Sequence, residues 1–249
     1  MKQGIFRTSN PTMKEDVFQG YTAVGGGVMT LTGTIGKSFV LLALLLATAV
    51  IGWMNPSWPL LIGSAIGGLV IAIVTVFKKE WAPFTAPAYA LVEGLFVGSL
   101  SAIVTLALAK TSYGNAVPLA VLGTMLTFGV MLTLYATRVI RVTETFRTVV
   151  IGATIAVIIT YAASWLLSIF WSGVWDMPIY GSGWAGILFS VLVIGIAALN
   201  LALDFDLIET GIGVKAPKFM EWYAGFALLV TLVWIYIEML RLIMKLANR

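Results

Sequence analysis

The chain contains no cysteine and no histidine. The first absence removes disulfides, thiolate nucleophiles and soft-metal sites. The second removes Ser-His and Cys-His catalysis, His-ligated zinc and the usual imidazole switch near neutral pH. Proton chemistry is left to carboxylates, Lys and Tyr, whose protonation answers to burial and to neighbouring groups. Charge is scarce as well, at 10% of residues against 60% hydrophobic and a mean hydropathy of +1.00. A soluble domain of 249 residues does not keep that balance in water, so the sequence reads as an integral membrane protein.

What is present is a series of long, continuous apolar runs. Open sheets leave backbone groups unpaired in lipid, and barrel strands alternate with a period of two, so these runs are expected to be helices and the fold all-α. Seven spans are expected: about Ser38 to Met54, Leu60 to Phe77, Ala88 to Ala109, Ala116 to Ala136, Thr148 to Phe170, Gly183 to about Asp206, and Ala224 to Met244. Residues 1–37 read as a flexible tail with Ser9-Asn10-Pro11-Thr12 and Gly25-Gly26-Gly27, and 38–249 as one seven-helix transmembrane domain. If all seven cross, a cytoplasmic N-terminus puts eleven Lys and Arg inside and four outside, Lys110, Arg241, Lys245 and Arg249. The positive-inside rule favours that orientation. Three of the four outer charges lie at the C-terminus, and a seventh helix that re-enters is the competing arrangement. The net charge of +4 belongs to these flanks and implies no nucleic-acid partner.

Enzyme signatures are poor. Tyr180-Gly181-Ser182-Gly183 is near an intramembrane serine protease motif but lacks its first glycine, and there is no histidine to act as base. The aspartyl protease signature Gly-x-Gly-Asp is absent, and Gly25-Gly26-Gly27 follows no strand that would make it a nucleotide loop. The chain is expected not to be an enzyme.

The acids at membrane depth are Glu93, Asp204, Asp206 and Glu238. Carboxylates are rare in hydrocarbon and mark functional sites there. Asn200 and Asp204, four apart, share a helix face and are expected to point inward together; Asp206 turns to the opposite side and joins Glu209 at the headgroup edge. Glu93 lies roughly 8 Å inside the start of its span and could share a layer with Asp204. Glu238 stands about 20 Å into the last span, three residues before Arg241, where the plain reading is an intrahelical ion pair snorkelling outward. Thr231, one heptad before Glu238, returns to the layer of Glu93 and Asp204.

In their order, several motifs resemble the Bax-inhibitor-type family, the transmembrane Bax inhibitor motif proteins. They are Asp204-Phe205-Asp206-Leu207-Ile208-Glu209 closing the sixth span and Ile235-Tyr236-Ile237-Glu238-Met239-Leu240-Arg241-Leu242 closing the seventh. Arg7-Thr8-Ser9-Asn10-Pro11-Thr12, Trp81-Ala82-Pro83, Val142-Thr143-Glu144-Thr145-Phe146-Arg147 and Lys218-Phe219-Met220-Glu221-Trp222-Tyr223 resemble a bacterial branch. The resemblance implies six helices around a central seventh, a bacterial inner membrane location, and a pH-sensitive calcium leak. It also implies a gate of two aspartates, on the last two helices, sharing a proton. Asp204 overlays the first of them. Overlaying the terminal Leu-Arg-Leu puts the second at Thr231, whereas the Leu-Tyr-Leu-Asp pattern puts it at Glu238. Span two has no charged residue to match the arginine that some relatives use to hold the pair closed.

The expected function is therefore a passive cation leak, with calcium as cargo touching Asp204 and protons as the modulator, since two close acids in low dielectric do not both ionise cheaply. The partner of Asp204 is left among Glu93 by depth, Thr231 by register and Glu238 by motif. The other reading is a membrane-embedded regulator that binds a membrane protease or another protein through its tail and basic loops and conducts nothing. Beyond the bilayer, calcium, protons and such a protein, no partner or cofactor is expected.

Overall fold

A computed structural model describes residues 27–171, 173–174 and 177–248. Most of the expected tail, residues 1–26, lies outside the described residues. Seven helices account for nearly all the rest: α1 (Leu31–Met54), α2 (Trp58–Phe77), α3 (Ala82–Leu108), α4 (Ala116–Ala136), α5 (Glu144–Ser168), α6 (Trp184–Gly213) and α7 (Met220–Ala247). All seven are long and apolar enough to cross a membrane. The protein is an all-α, multi-pass membrane protein.

The helices overrun the hydropathic segments because hydropathy reports the hydrocarbon layer, while a helix continues for as long as its caps allow. Thr30 caps α1 by accepting a hydrogen bond from the Gly33 amide, so α1 starts seven residues ahead of the expected Ser38. Thr143 caps α5 through the Phe146 amide, drawing Arg147 out of the expected basic loop and into the first turn. α6 runs to Gly213 and then stops, with Lys215 in the left-handed region at φ 54°. Asp204 therefore lies nine residues from the end of its helix and not within a turn of it. α7 is one uninterrupted helix of 28 residues, with no break at which a re-entrant segment would turn back.

α7 is the centre. It packs against α1, α3, α4 and α6, and its buried residues run from Met220 to Lys245 with no free face. α1 and α3 form the closest pair. β-Carbons added at Gly94 and Gly98 would land on the backbone oxygens of Leu45 and Ala49, and one at Gly52 on that of Leu95. The glycines let the two backbones touch, which is how helices associate where lipid offers no hydrophobic drive. α2 flanks α3, and α5 makes its extended contact with α6. The outer faces carry large apolar side chains such as Phe77, Phe84 and Phe170, each more than 80% exposed, as a lipid-facing surface should.

One tie reaches across the sequence. Residues 27–29 lie along 216–218, with the Met29 amide donating to the Ala216 carbonyl at 2.7 Å and the Lys218 amide to the Gly27 carbonyl at 3.2 Å. The entrance of α1 is thereby fastened to the short connection between α6 and α7.

Gly98→Val should separate α1 from α3 at the cost of about 2 kcal/mol, the range of an overpacked core. Gly63→Ala, where a β-carbon meets nothing within 4 Å, should leave stability unchanged. Thermal unfolding in detergent measures both, and equal midpoints would contradict the close α1–α3 approach.

Candidate functional site

The structure brings Asp204 to Thr231. The Thr231 hydroxyl donates to Asp204 Oδ2 at 2.6 Å across the α6–α7 interface and lies 3.2 Å from the Ala227 carbonyl of its own helix. Thr231 is 7% exposed. It stands eleven residues into α7, about 16 Å along the axis, and Asp204 stands about 14 Å from the C-terminal end of α6, so the pair lies several turns inside the bundle. Two arrangements of protons satisfy this geometry. An ionised Asp204 accepts from Thr231; a protonated Asp204 donates to the Thr231 oxygen, which turns its own hydrogen to Ala227. The hydroxyl keeps a partner in both states.

The other residues expected near Asp204 go elsewhere. Asn200 does not join it: its side-chain amide donates to the Thr154 hydroxyl on α5 at 2.8 Å and back to the Ile196 carbonyl at 2.9 Å. Sharing a helix face leaves enough angle for neighbouring side chains to serve different helices. Glu93 does not reach Asp204 either. It is 8% exposed, and its carboxylate packs directly over Gly68 of α2, beside Tyr89. Depth is matched, but direction is not. No hydrogen bond or ion pair from Glu93 is seen among the described residues.

Asp206 pairs with Arg147 of α5. Glu209 accepts from the Arg138 guanidinium and the Tyr135 hydroxyl, each at 2.5 Å. That hydrogen bond pushes the exposed Arg138 above its ordinary pKa. Both acids thus serve the helix end, turned away from Asp204 as their spacing requires.

Glu238 departs most from expectation. Its pairing with Arg241 exists, at 2.8 Å, but it is turned inward and Glu238 is 1% exposed. The Tyr161 hydroxyl of α5 lies 3.1 and 3.3 Å from the two carboxylate oxygens, and the Arg241 guanidinium rests 4.5 Å from the Tyr161 ring centre. Lys245, expected outside, is 6% exposed and donates to the carbonyls of Ile179 and Gly186 at 2.9 Å each. A buried carboxylate in hydrocarbon needs donors on several sides, and snorkelling would supply only one.

Glu221 carries no signal in hydropathy and is fully buried at the first turn of α7. It pairs with Lys37 of α1 and accepts from the Thr30 amide at 2.9 Å and the Thr30 hydroxyl at 3.0 Å. Gly33 makes room, since a β-carbon there would collide with the carboxylate. The readable clue is Thr30, a helix-capping residue seven positions before Lys37 on the same helix face.

The fold and these buried acids define a polytopic helical membrane protein with titratable groups at bilayer depth. The chain belongs to the Bax inhibitor 1 like family, whose profile matches residues 8–248. Comparison with curated proteins and with solved structures gives no match.

Removing Lys37 strands the Glu221 charge in a site with no exposed side-chain surface. Lys37→Met should cost about 3 kcal/mol, as for a broken buried pair, and Lys37→Met with Glu221→Gln should recover much of it. Unfolding in detergent provides the measurement; a double variant no more stable than Lys37→Met would contradict the role of the pair.

Proposed function

We propose that this protein is a passive, proton-modulated cation leak, with calcium as its cargo, in which Asp204 is the titrating group and Thr231 its latch. The observation that supports this most is the hydroxyl-to-carboxylate bond of 2.6 Å between α6 and α7, several turns inside both helices. Protonated, Asp204 offers no charge to a cation and keeps the two helices bonded. Ionised, it offers a hard oxygen of the kind calcium binds. The described residues contain no cluster of three or more metal-ligating His, Cys, Asp or Glu side chains. On this reading calcium passes Asp204 in transit and is not held there, so flux rises as the pH rises through the titration of that one group. The setting is a bacterial inner membrane with the N-terminus cytoplasmic, as the distribution of Lys and Arg favours.

A hydroxyl in place of a second acid has a consequence for the titration. Two coupled carboxylates lose their protons in two macroscopic steps, whereas a carboxylate beside a hydroxyl titrates in one. Calcium flux into proteoliposomes should therefore follow a single-proton curve in the natural protein. Asp204→Asn should remove the pH dependence, and Thr231→Asp should split it into two steps. Flux and pH response unchanged in Asp204→Asn would sink the assignment.

A further inference from the structure

α5 carries polar side chains at intervals of one heptad, Arg147, Thr154 and Tyr161, followed by Ser164. Between them the face is completed by Val150 and Val157, which are buried. Each polar residue meets a polar partner on the neighbouring elements. Arg147 pairs with Asp206, and the Thr154 hydroxyl accepts from Asn200. Tyr161 donates to Glu238, and Ser164 bonds the Tyr180 hydroxyl in the loop that precedes α6. The rungs are about 10 Å apart where they are one heptad apart, so together they extend through most of the bilayer thickness.

Packing alone accounts poorly for this seam. Interhelical polar contacts do hold membrane helices together, but here they recur along one face of a helix whose extended contact is with α6 alone. The seam also runs beside the Asp204–Thr231 pair. Asn200 is one turn, about 6 Å, beyond Asp204 on α6, and Glu238 is one heptad, about 10 Å, beyond Thr231 on α7. Asn200 uses its amide nitrogen for both of its hydrogen bonds, which leaves its carbonyl oxygen for another ligand. The oxygens of Asp204, Asn200, Thr154, Glu238 and Tyr161 therefore form a ladder that rises from Asp204 into the C-terminal half of α7.

Resting on the leak reading above, we infer that cations cross along the seam between α5 and the α6–α7 pair, with the buried Glu238 as a second carboxylate station beyond Asp204. Arg241, whose side chain keeps 32% of its surface exposed, is the resident counter-ion at that station. A passing cation takes its place as the guanidinium swings outward over Tyr161. α5, the helix least enclosed by others, yields to let water and ion in.

The absence of native cysteine makes the test direct. Single cysteines are placed at Thr154 and Tyr161 on the seam, and at Ile158, which is 59% exposed on the lipid side of α5. Proteoliposomes at a pH that supports calcium flux are treated with a small, membrane-impermeant, cationic thiosulfonate. Thr154→Cys and Tyr161→Cys should be labelled and lose most of their flux, while Ile158→Cys should keep its flux. Glu238→Gln, which leaves Arg241 uncompensated in the path, should lower flux severalfold without moving the pH of half-activation. Tyr161→Phe should change flux with the same indifference to pH. A conducting Thr154→Cys protein that is not labelled, or is labelled without loss of flux, overturns the seam. So does a Glu238→Gln protein that is monodisperse and conducts normally. Natural protein that conducts no cation at any pH defeats the leak reading itself, and the seam with it.

Discussion

Hydrocarbon supplies no hydrogen bonds, so a polar group that α7 carries into the bundle needs a partner inside the protein. α7 carries Glu221, Thr231, Glu238 and Lys245, and each reaches one on another element, while Arg241 pairs with Glu238 of its own helix. Glu221 takes Lys37 and Thr30 of the α1 entrance, Thr231 takes Asp204 of α6, Glu238 takes Tyr161 of α5, and Lys245 takes two carbonyls at the entrance of α6. The central helix is thus indexed to its neighbours at several heights. Sliding it by one turn would strand several of these groups at once, which fixes its register far more tightly than leucine packing could.

The same constraint explains why the bundle is asymmetric. On one side α1 and α3 meet through glycine, where backbone contact supplies the dispersion energy and the Ser99 hydroxyl donates to the Gly52 carbonyl at 3.3 Å. On the other side α5 meets α6 through side chains that are polar at every seventh position. The first contact is close and mostly backbone. The second joins groups that each need a partner in low dielectric, and each has one. α7 lies between a side packed through backbone and a side joined through polar side chains.

Much of this was legible before any coordinates. Long apolar runs gave seven helices, and the exit of α6 marked Asp204 because an acid so close to a hydrophobic run needs a reason. Terminal-motif register offered Thr231 as its partner, beside Glu93 by depth and Glu238 by motif. Directions were harder. Asn200 and Asp204 share a helix face, yet they serve α5 and α7, a choice that depends on which hydroxyl stands nearer and not on spacing within α6. Glu93 has the right depth, but α3 turns it toward α2. Glu238 sits near an arginine in sequence, which fits an exposed pair as well as a buried one; only the Tyr161 hydroxyl from a helix 77 residues away decides it. Glu221 escaped because hydropathy ends a span at its charges, and the helix does not end there.

The pairing of an acid with a hydroxyl has a physical meaning of its own. A second carboxylate beside Asp204 would make the closed state depend on a shared proton, so that opening would require two like charges to coexist in low dielectric. Thr231 imposes no such repulsion. Its hydroxyl can turn between Asp204 and the Ala227 carbonyl, so the α6–α7 contact survives ionisation of the acid. Ionisation then changes what the site offers a cation more than it changes how the helices are held. With α6 and α7 bonded in both states, a gate of the kind proposed above would have to move a different helix. Among the helices that meet α6, α5 is the one whose contact is polar along its length and whose other faces meet lipid.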